Sequence, residues 1–460
     1  MARLLGPDAG SRYCYDQDSG APAKNRGAVV YADSAGTTPA AIATYDGTGT
    51  PGAAIAGAAV TTDAYGQLPL FWFPDGVDRL WARVGGGPVF SVDADNNGRL
   101  DSLVATAGHN TALRKWYAAL AGRYGSIASV VVFGDSISEG YGATSVLRRW
   151  QQVLQSELRP RFQPAGVAGA AVPYISASPR VSPIPADYPR TATAGVTQSD
   201  NGLGLRSAVI PAGENVTFTF TGTRAKLYGT KNSTVGKYGI RLDGAAEVVV
   251  DGNAASAASG VMLWDSGALT AGAHTVLVQR SSTTTASPGN LLLEGLVTYN
   301  GDTSAGLRVL DASRSGATLA TFNSSTLWYD ALGAVEGDGL LVMAWGANDA
   351  TGGTTVAAFK TGLETLIANA RTAGWVGSIL LLKMPKRGTA TEQTWVGYLA
   401  QMDAIAAADP DVATLDLRSR IPDQGTAEAV ALGLYVDEAH YTDKGQGLIA
   451  GHIATAILPR

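Results

Sequence analysis

Cysteine is nearly missing from this 460-residue chain: Cys14 is the only one. A single thiol excludes an internal disulfide and a cysteine-rich zinc site. Charged residues are sparse at 16%, the net charge is −5, and no long basic run occurs. That argues against nucleic acid as a partner, because phosphate binding rests on clustered Lys and Arg. No run of about 18 apolar residues is present, so no membrane insertion is expected. The opening Met1-Ala2-Arg3-Leu4-Leu5-Gly6-Pro7-Asp8 lacks the apolar core of a signal peptide, and synthesis in a cytoplasm is expected. Histidine numbers only four, which shortens the search for a general base.

What is abundant is glycine, at 57 residues, and hydrophobic residues, at 45%. The chain can bury real cores, and its length exceeds a single domain. Residues 1–95 read as β-rich: Ala28–Tyr31 and Ala40–Tyr45 are short apolar runs between turn residues, and Leu68–Gly76 is an aromatic patch, either a small core or a contact surface. Asp93-Ala94-Asp95-Asn96-Asn97-Gly98 matches the opening of a calcium loop. Val104 stands where its last carboxylate belongs, so a polar linker is the plainer reading. Residues 96–126 form that linker and a helix, with Leu113, Trp116, Tyr117, Leu120 and Tyr124 at helical spacing.

An α/β pattern then begins. Val130–Phe133 is a buried strand, Gly134 is expected to permit a sharp turn, and Asp135-Ser136 stands where a helix starts. Ser145–Leu158 is a second helix. Residues 172–198 are Pro-, Ser- and Thr-rich and read as loop. From about residue 201 to 300 apolar and polar residues alternate, as in Val216–Thr221, which predicts an inserted β-sandwich of about 100 residues. The strand–helix alternation resumes at Leu307–Leu310, Leu340–Trp345, Ser378–Leu382 and Val412–Leu417, with helices around Phe359–Ile367, Trp395–Ala408 and Gly447–Ile457. A mainly parallel sheet follows. The domains are thus expected at 1–95, at 127–175 with 301–460, and at 176–300 for the insertion.

A serine at the carboxyl end of a strand is placed for nucleophilic attack, provided that a base and an orienting acceptor reach it. Read by itself, Ser136 fits a helix cap equally well. Among the histidines, His109 lies in a polar linker, His274 in the sandwich and His452 in the last helix. His440 follows the last strand, three residues after Asp437, so Asp437 can orient its ring. Asn348 and Gly316 follow successive strands, where a side-chain amide and a close-approaching backbone N–H are candidate oxyanion donors. Arg314 and Tyr141 either line this pocket or serve packing.

Gly134-Asp135-Ser136, Gly316, Gly346-Ala347-Asn348-Asp349 and Asp437-Glu438-Ala439-His440 together resemble, in order, the conserved blocks of the SGNH hydrolases, also called GDSL-type esterases and lipases. The resemblance spans roughly residues 110–175 and 300–460. It implies a three-layer α/β/α, flavodoxin-like core. It also implies catalytic Ser136, Asp437 and His440, with an oxyanion hole from Ser136, Gly316 and Asn348. The implied reaction is two-step acyl transfer without metal or cofactor. Ser136 and Gly316 lie much further apart than in a minimal core, and the inserted sandwich accounts for it. Tyr31–Pro39 and Leu68–Asp78 resemble N-terminal modules of tail and baseplate proteins of actinobacterial phages. Together these imply an esterase of the virion tail acting on an acylated polysaccharide or other cell-surface ester, with other tail proteins and a homo-oligomer, by analogy a trimer, as partners. Two other readings remain: a bacterial carbohydrate or short-chain lipid esterase with accessory domains, and a receptor-binding protein that keeps the fold without the activity.

Overall fold

A computed structural model describes residues 3–4, 25–44, 52–62, 68–69, 71–74, 79–85, 89–93, 111–281, 289–333, 335–337 and 339–458. The chain divides into two compact units, residues 1–110 and 111–460.

The first unit holds two small antiparallel sheets. One joins Arg3–Leu4, Phe71–Phe73 and Ala43–Thr44; the other orders Ala59–Thr61, Gly27–Tyr31, Arg79–Val84 and Val89–Asp93. Leu68, Phe71 and Phe73 are buried against Val30, Ile42 and Leu80. The described part of the aromatic patch therefore makes a core. Residues 94–98, with most of the calcium-like stretch, lie outside the described residues.

The second unit is built on a five-stranded parallel sheet ordered Gly306–Asp311, Ile127–Gly134, Gly339–Ala344, Ser378–Lys383, Val412–Asp416. Numbered along the chain, this is the order 2-1-3-4-5, whose switch point lies between the first and third strands. Every residue of the first three strands in the chain is buried, as a parallel sheet covered on both faces requires. Helices Arg114–Gly122, Trp150–Phe162 and Asp443–Ile457 pack together on the sheet, and Leu319–Asn323, Val356–Thr372 and Glu392–Ala408 form a second packed set. The fold class is thus mixed α/β, with additional antiparallel sheets.

Those additional sheets form the insertion. Five strands run Arg190–Ala192, Asn215–Gly222, Gly272–Arg280, Lys237–Leu242, Val248–Asp251. Opposite them run Thr197–Ser199, Ser207–Ile210, Leu291–Tyr299, Arg224–Lys231 and Ala258–Asp265, with Tyr174–Ser176 also paired to Leu291–Tyr299. Val216, Phe218 and Phe220 point inward while the intervening threonines do not, which is the alternation seen in the sequence.

Three elements differ from expectation. The stretch 172–198, read as loop, contributes the strands Tyr174–Ser176, Arg190–Ala192 and Thr197–Ser199. Each is three residues long, too short for periodicity to register, and exists because a longer strand offers it a ladder. The expected Ser145–Leu158 helix is split: Val146–Arg148 is a 3-10 turn, Arg149 is extended, and the α-helix begins at Trp150. Finally, Gly134 needs no unusual backbone angle. A Cβ there would lie 2.4 Å from the Ala344 carbonyl oxygen and 2.5 Å from Ser138 Oγ. Close approach of the neighbouring strand, rather than turn geometry, demands the glycine.

Candidate active site

Ser136 opens a four-residue helix directly after the Ile127–Gly134 strand. Asp135 caps it, its Oδ1 accepting the Ile137 N–H at 2.9 Å. As the first helical residue, Ser136 has no intrahelical carbonyl for its own N–H. The strand end is held stiffly: Phe133 stacks on Trp328 with ring centroids 4.3 Å apart and meets Phe322 and Trp345 edge-on.

Ser136 Oγ lies 2.7 Å from His440 Nε2, although 304 residues separate them in sequence. The other ring nitrogen, Nδ1, lies 2.7 Å from Asp437 Oδ2. A short loop delivers this pair. The Val436 N–H closes on the His440 carbonyl at 2.9 Å, and Asp437 Oδ1 accepts the Ala439 and His440 N–H groups at 2.9 and 2.8 Å. Burial works against the Asp437 carboxylate, but the hydrogen bonds from the His440 ring and these backbone donors outweigh it and hold its pKa below the usual value. The carboxylate therefore remains an acceptor for the ring N–H, leaving Nε2 able to accept from a serine hydroxyl. Tyr141 lays its ring on His440 at a centroid distance of 4.0 Å.

Gly316 is exposed, in a turn closed by the Ala317 N–H on the Arg314 carbonyl. Its φ is +80°, the value of the third residue of a type II turn, and no atom lies within 4 Å of a would-be Cβ. The turn is tied to the serine strand by the Arg314 N–H on the Gly134 carbonyl at 2.9 Å. Asn348, on the helix after the third strand in the chain, donates from Nδ2 to the Ala317 carbonyl at 2.9 Å. An amide carries two N–H donors, so the second remains for a ligand. Ser136, Asp437, His440, Gly316 and Asn348 thus converge at one end of the sheet, and the strands they follow flank its switch point or lie beyond it.

Two buried carboxyls lie behind the serine. Burial pushes Asp135 up to about 7, against the Ile137 N–H and with a contribution from the Asp349 charge. Burial lifts Asp349 to about 6, partly offset by the Leu319 N–H that its Oδ1 accepts. Asp349 Oδ2 has no hydrogen-bond partner.

The remaining histidines lie elsewhere. His274 pairs with Asp243 at 2.8 Å in the sandwich, and His452 is on the last helix; His109 is outside the described residues. Arg314 turns its guanidinium to Asp200 at 3.0 Å. Among the described residues no group of three or more His, Cys, Asp or Glu is placed to hold a metal ion, and no helix is long and apolar enough to cross a membrane. Sequence reasoning passed over four buried charged residues beneath the Gly316 turn: Glu139, Arg149, Arg206 and Asp311. Glu139 ends the serine helix and Asp311 ends a core strand, a signal that was legible. Nothing near Arg206 in sequence points to it.

No family model matches the chain, and no curated protein does either. Among solved structures, a peptidoglycan O-acetylesterase is similar in fold, with 14% identity over 76% of this chain and 95% of that chain and a TM-score of 0.54. A family two carbohydrate esterase from Clostridium thermocellum matches at 16% identity over 57% of this chain and 98% of that one, TM-score 0.27. A salicylyl-acyltransferase of a tetracycline biosynthetic pathway matches at 14% over 61% and 95%, TM-score 0.28. Of these three, the first reaches a level that denotes a shared fold.

Proposed function

We propose that the chain is a serine esterase of the SGNH type that removes acyl groups, acetyl foremost, from carbohydrate. The observation that carries this reading is the pair of 2.7 Å contacts linking Ser136 Oγ to His440 and His440 to Asp437. Nucleophile, base and orienting acceptor are spaced for acyl transfer without rearrangement. His440 Nε2 takes the Ser136 proton as Oγ attacks the ester carbonyl. The oxyanion lies among the N–H groups of Ser136 and Gly316 and the free amide N–H of Asn348. The imidazolium, steadied by Asp437, returns its proton to the departing alcohol. Water, deprotonated by the same ring, then releases the acid. Each step uses side chains, backbone and water alone.

The acetylated-glycan substrate is supported by the shared fold with an O-acetylesterase of peptidoglycan. The test is hydrolysis of p-nitrophenyl acetate and acetate release from acetylated polysaccharides. Wild type turns over, and Ser136→Ala loses at least about 10³-fold in kcat/KM. Equal inertness of both proteins on all of these esters would overturn the esterase reading.

We further propose that the enzyme belongs to a phage tail, its N-terminal unit attaching it to the virion. This is supported by the resemblance of Tyr31–Pro39 and Leu68–Asp78, segments that fall within the separate compact unit of residues 1–110. Antibodies against residues 111–460 should decorate virion tails; virions free of the protein would refute the assignment.

A further inference from the structure

Beneath the Gly316 turn lie two carboxylates and two guanidinium groups, all buried: Glu139, Asp311, Arg149 and Arg206. Glu139 ends the short helix that Ser136 begins. Its Oε2 accepts the Ser315 N–H at 2.6 Å, and its Oε1 accepts the Arg180 N–H at 2.7 Å and Arg206 Nη1 at 2.9 Å. Asp311 ends the neighbouring strand. Its Oδ1 accepts the Ser313 N–H at 3.0 Å, and its Oδ2 accepts from Arg206 Nη1 at 3.0 Å and Arg149 Nη1 at 3.2 Å. Arg206 Nη2 also donates to the Asp311 carbonyl. Arg206 itself comes from the inserted segment, directly after the 3-10 turn Leu203–Leu205.

This arrangement has a geometric consequence. Type I and type II turns differ by a flip of the central peptide, which here is the one joining Ser315 to Gly316. The flip reverses the direction of the Gly316 N–H. Glu139 grips the Ser315 N–H on one side of that peptide, and Asn348 grips the Ala317 carbonyl on the other. A buried ion pair contributes little net stability against an apolar replacement, so stability alone does not account for this cluster.

We propose that Glu139 and Arg206 are positioning residues. They hold the Gly316 turn in the orientation that aims its N–H at the oxyanion, and so make the inserted sandwich a working part of the acyl-transfer site. This inference rests on the serine-esterase reading above.

The full-length Glu139→Gln protein tests it. Glutamine accepts at only one oxygen and opposes an N–H donor with another donor. Because it also leaves Arg206 and Arg149 facing one carboxylate, a charge-balanced Glu139→Gln/Arg206→Met variant is made alongside, and near-UV circular dichroism and Tm confirm that both fold. On p-nitrophenyl acetate, kcat falls roughly 10- to 100-fold with KM within about threefold, less than the loss of a whole oxyanion donor. Affinity for a trifluoromethyl ketone, which forms a tetrahedral oxyanion adduct on the serine, weakens by a similar factor. Folded variants with kcat and inhibitor affinity within about twofold of wild type would overturn the proposal. So would a fall in kcat with inhibitor affinity unchanged. An inert wild type would overturn the esterase reading and this inference together, whereas an active wild type with indifferent variants sinks only the positioning role.

Discussion

Asp437 is exposed, yet three donors converge on it: the His440 ring and the N–H groups of Ala439 and His440. The backbone contacts hold Oδ1 and leave Oδ2 to the ring. Asp437→Asn presents an amide N–H toward the ring and favours the wrong tautomer. It should lower kcat by roughly 10²–10⁴-fold with little change in KM, read from steady-state hydrolysis of p-nitrophenyl acetate. His440→Ala should be as damaging as Ser136→Ala, and His452→Ala close to wild type; the reverse order would unseat His440 as the base.

The buried Asp135 gives a second residue-scale expectation. Its folded pKa of about 7 lies above the 3.8 of an ordinary aspartate, so between those values the folded protein holds a proton that the unfolded chain has released. Stability from this group is present at low pH, declines as pH rises through that window, and levels off above about 7. Asp349 acts in the same sense up to about 6. Asp135→Asn keeps an acceptor for the Ile137 N–H and removes the ionisation. Its urea midpoint should therefore fall less between pH 5 and pH 8 than that of wild type. An equal fall in both would show that Asp135 does not titrate there.

At the scale of elements, two glycines of the site are required for different reasons. Gly134 is hemmed in by the Ala344 carbonyl and Ser138 Oγ, whereas Gly316 has open space but a left-handed backbone. Gly134→Ala should cost about 1–3 kcal/mol by overpacking and displace the serine helix, lowering kcat as well. Gly316→Ala should cost about 1–2 kcal/mol in stability, with its larger effect on kcat. Urea midpoints and kinetics on the two variants separate the cases. Both glycines stood out in the sequence, but strand packing alone distinguishes space from angle. The same holds for the three-residue strands within 172–198, which exist only through their partners. It holds also for the extended Arg149 that interrupts the expected helix, since its guanidinium is committed to Asp311.

For the whole molecule, the described chain is two units, and the five candidate site residues all lie in the second. A fragment of residues 111–460 should fold and hydrolyse p-nitrophenyl acetate within about threefold of the full-length kcat/KM, because all five candidate site residues lie after Thr111. A fragment that folds but is inert would place part of the site in the N-terminal unit. The insertion is a different case. Tyr174–Ser176 belongs to its sheet, and Arg206 reaches under the Gly316 turn, so sandwich and parallel sheet are joined through buried groups.

The sequence by itself pointed to the parallel α/β core, to the alternating β segment inserted in it and, with the family resemblance, to five candidate residues that the fold brings to one end of the sheet. Strand periodicity and the strand–helix alternation are local properties, and each of the five stands in a short segment after a strand or beside the last helix. Tertiary structure decided what lies beneath them. Glu139, Asp311, Arg149 and Arg206 become one cluster because strands 127–134 and 306–311 pair in parallel and the insertion folds back upon them. A buried charge finds its partner across space, at separations of 67 and 105 residues here, and no local pattern records such a pairing.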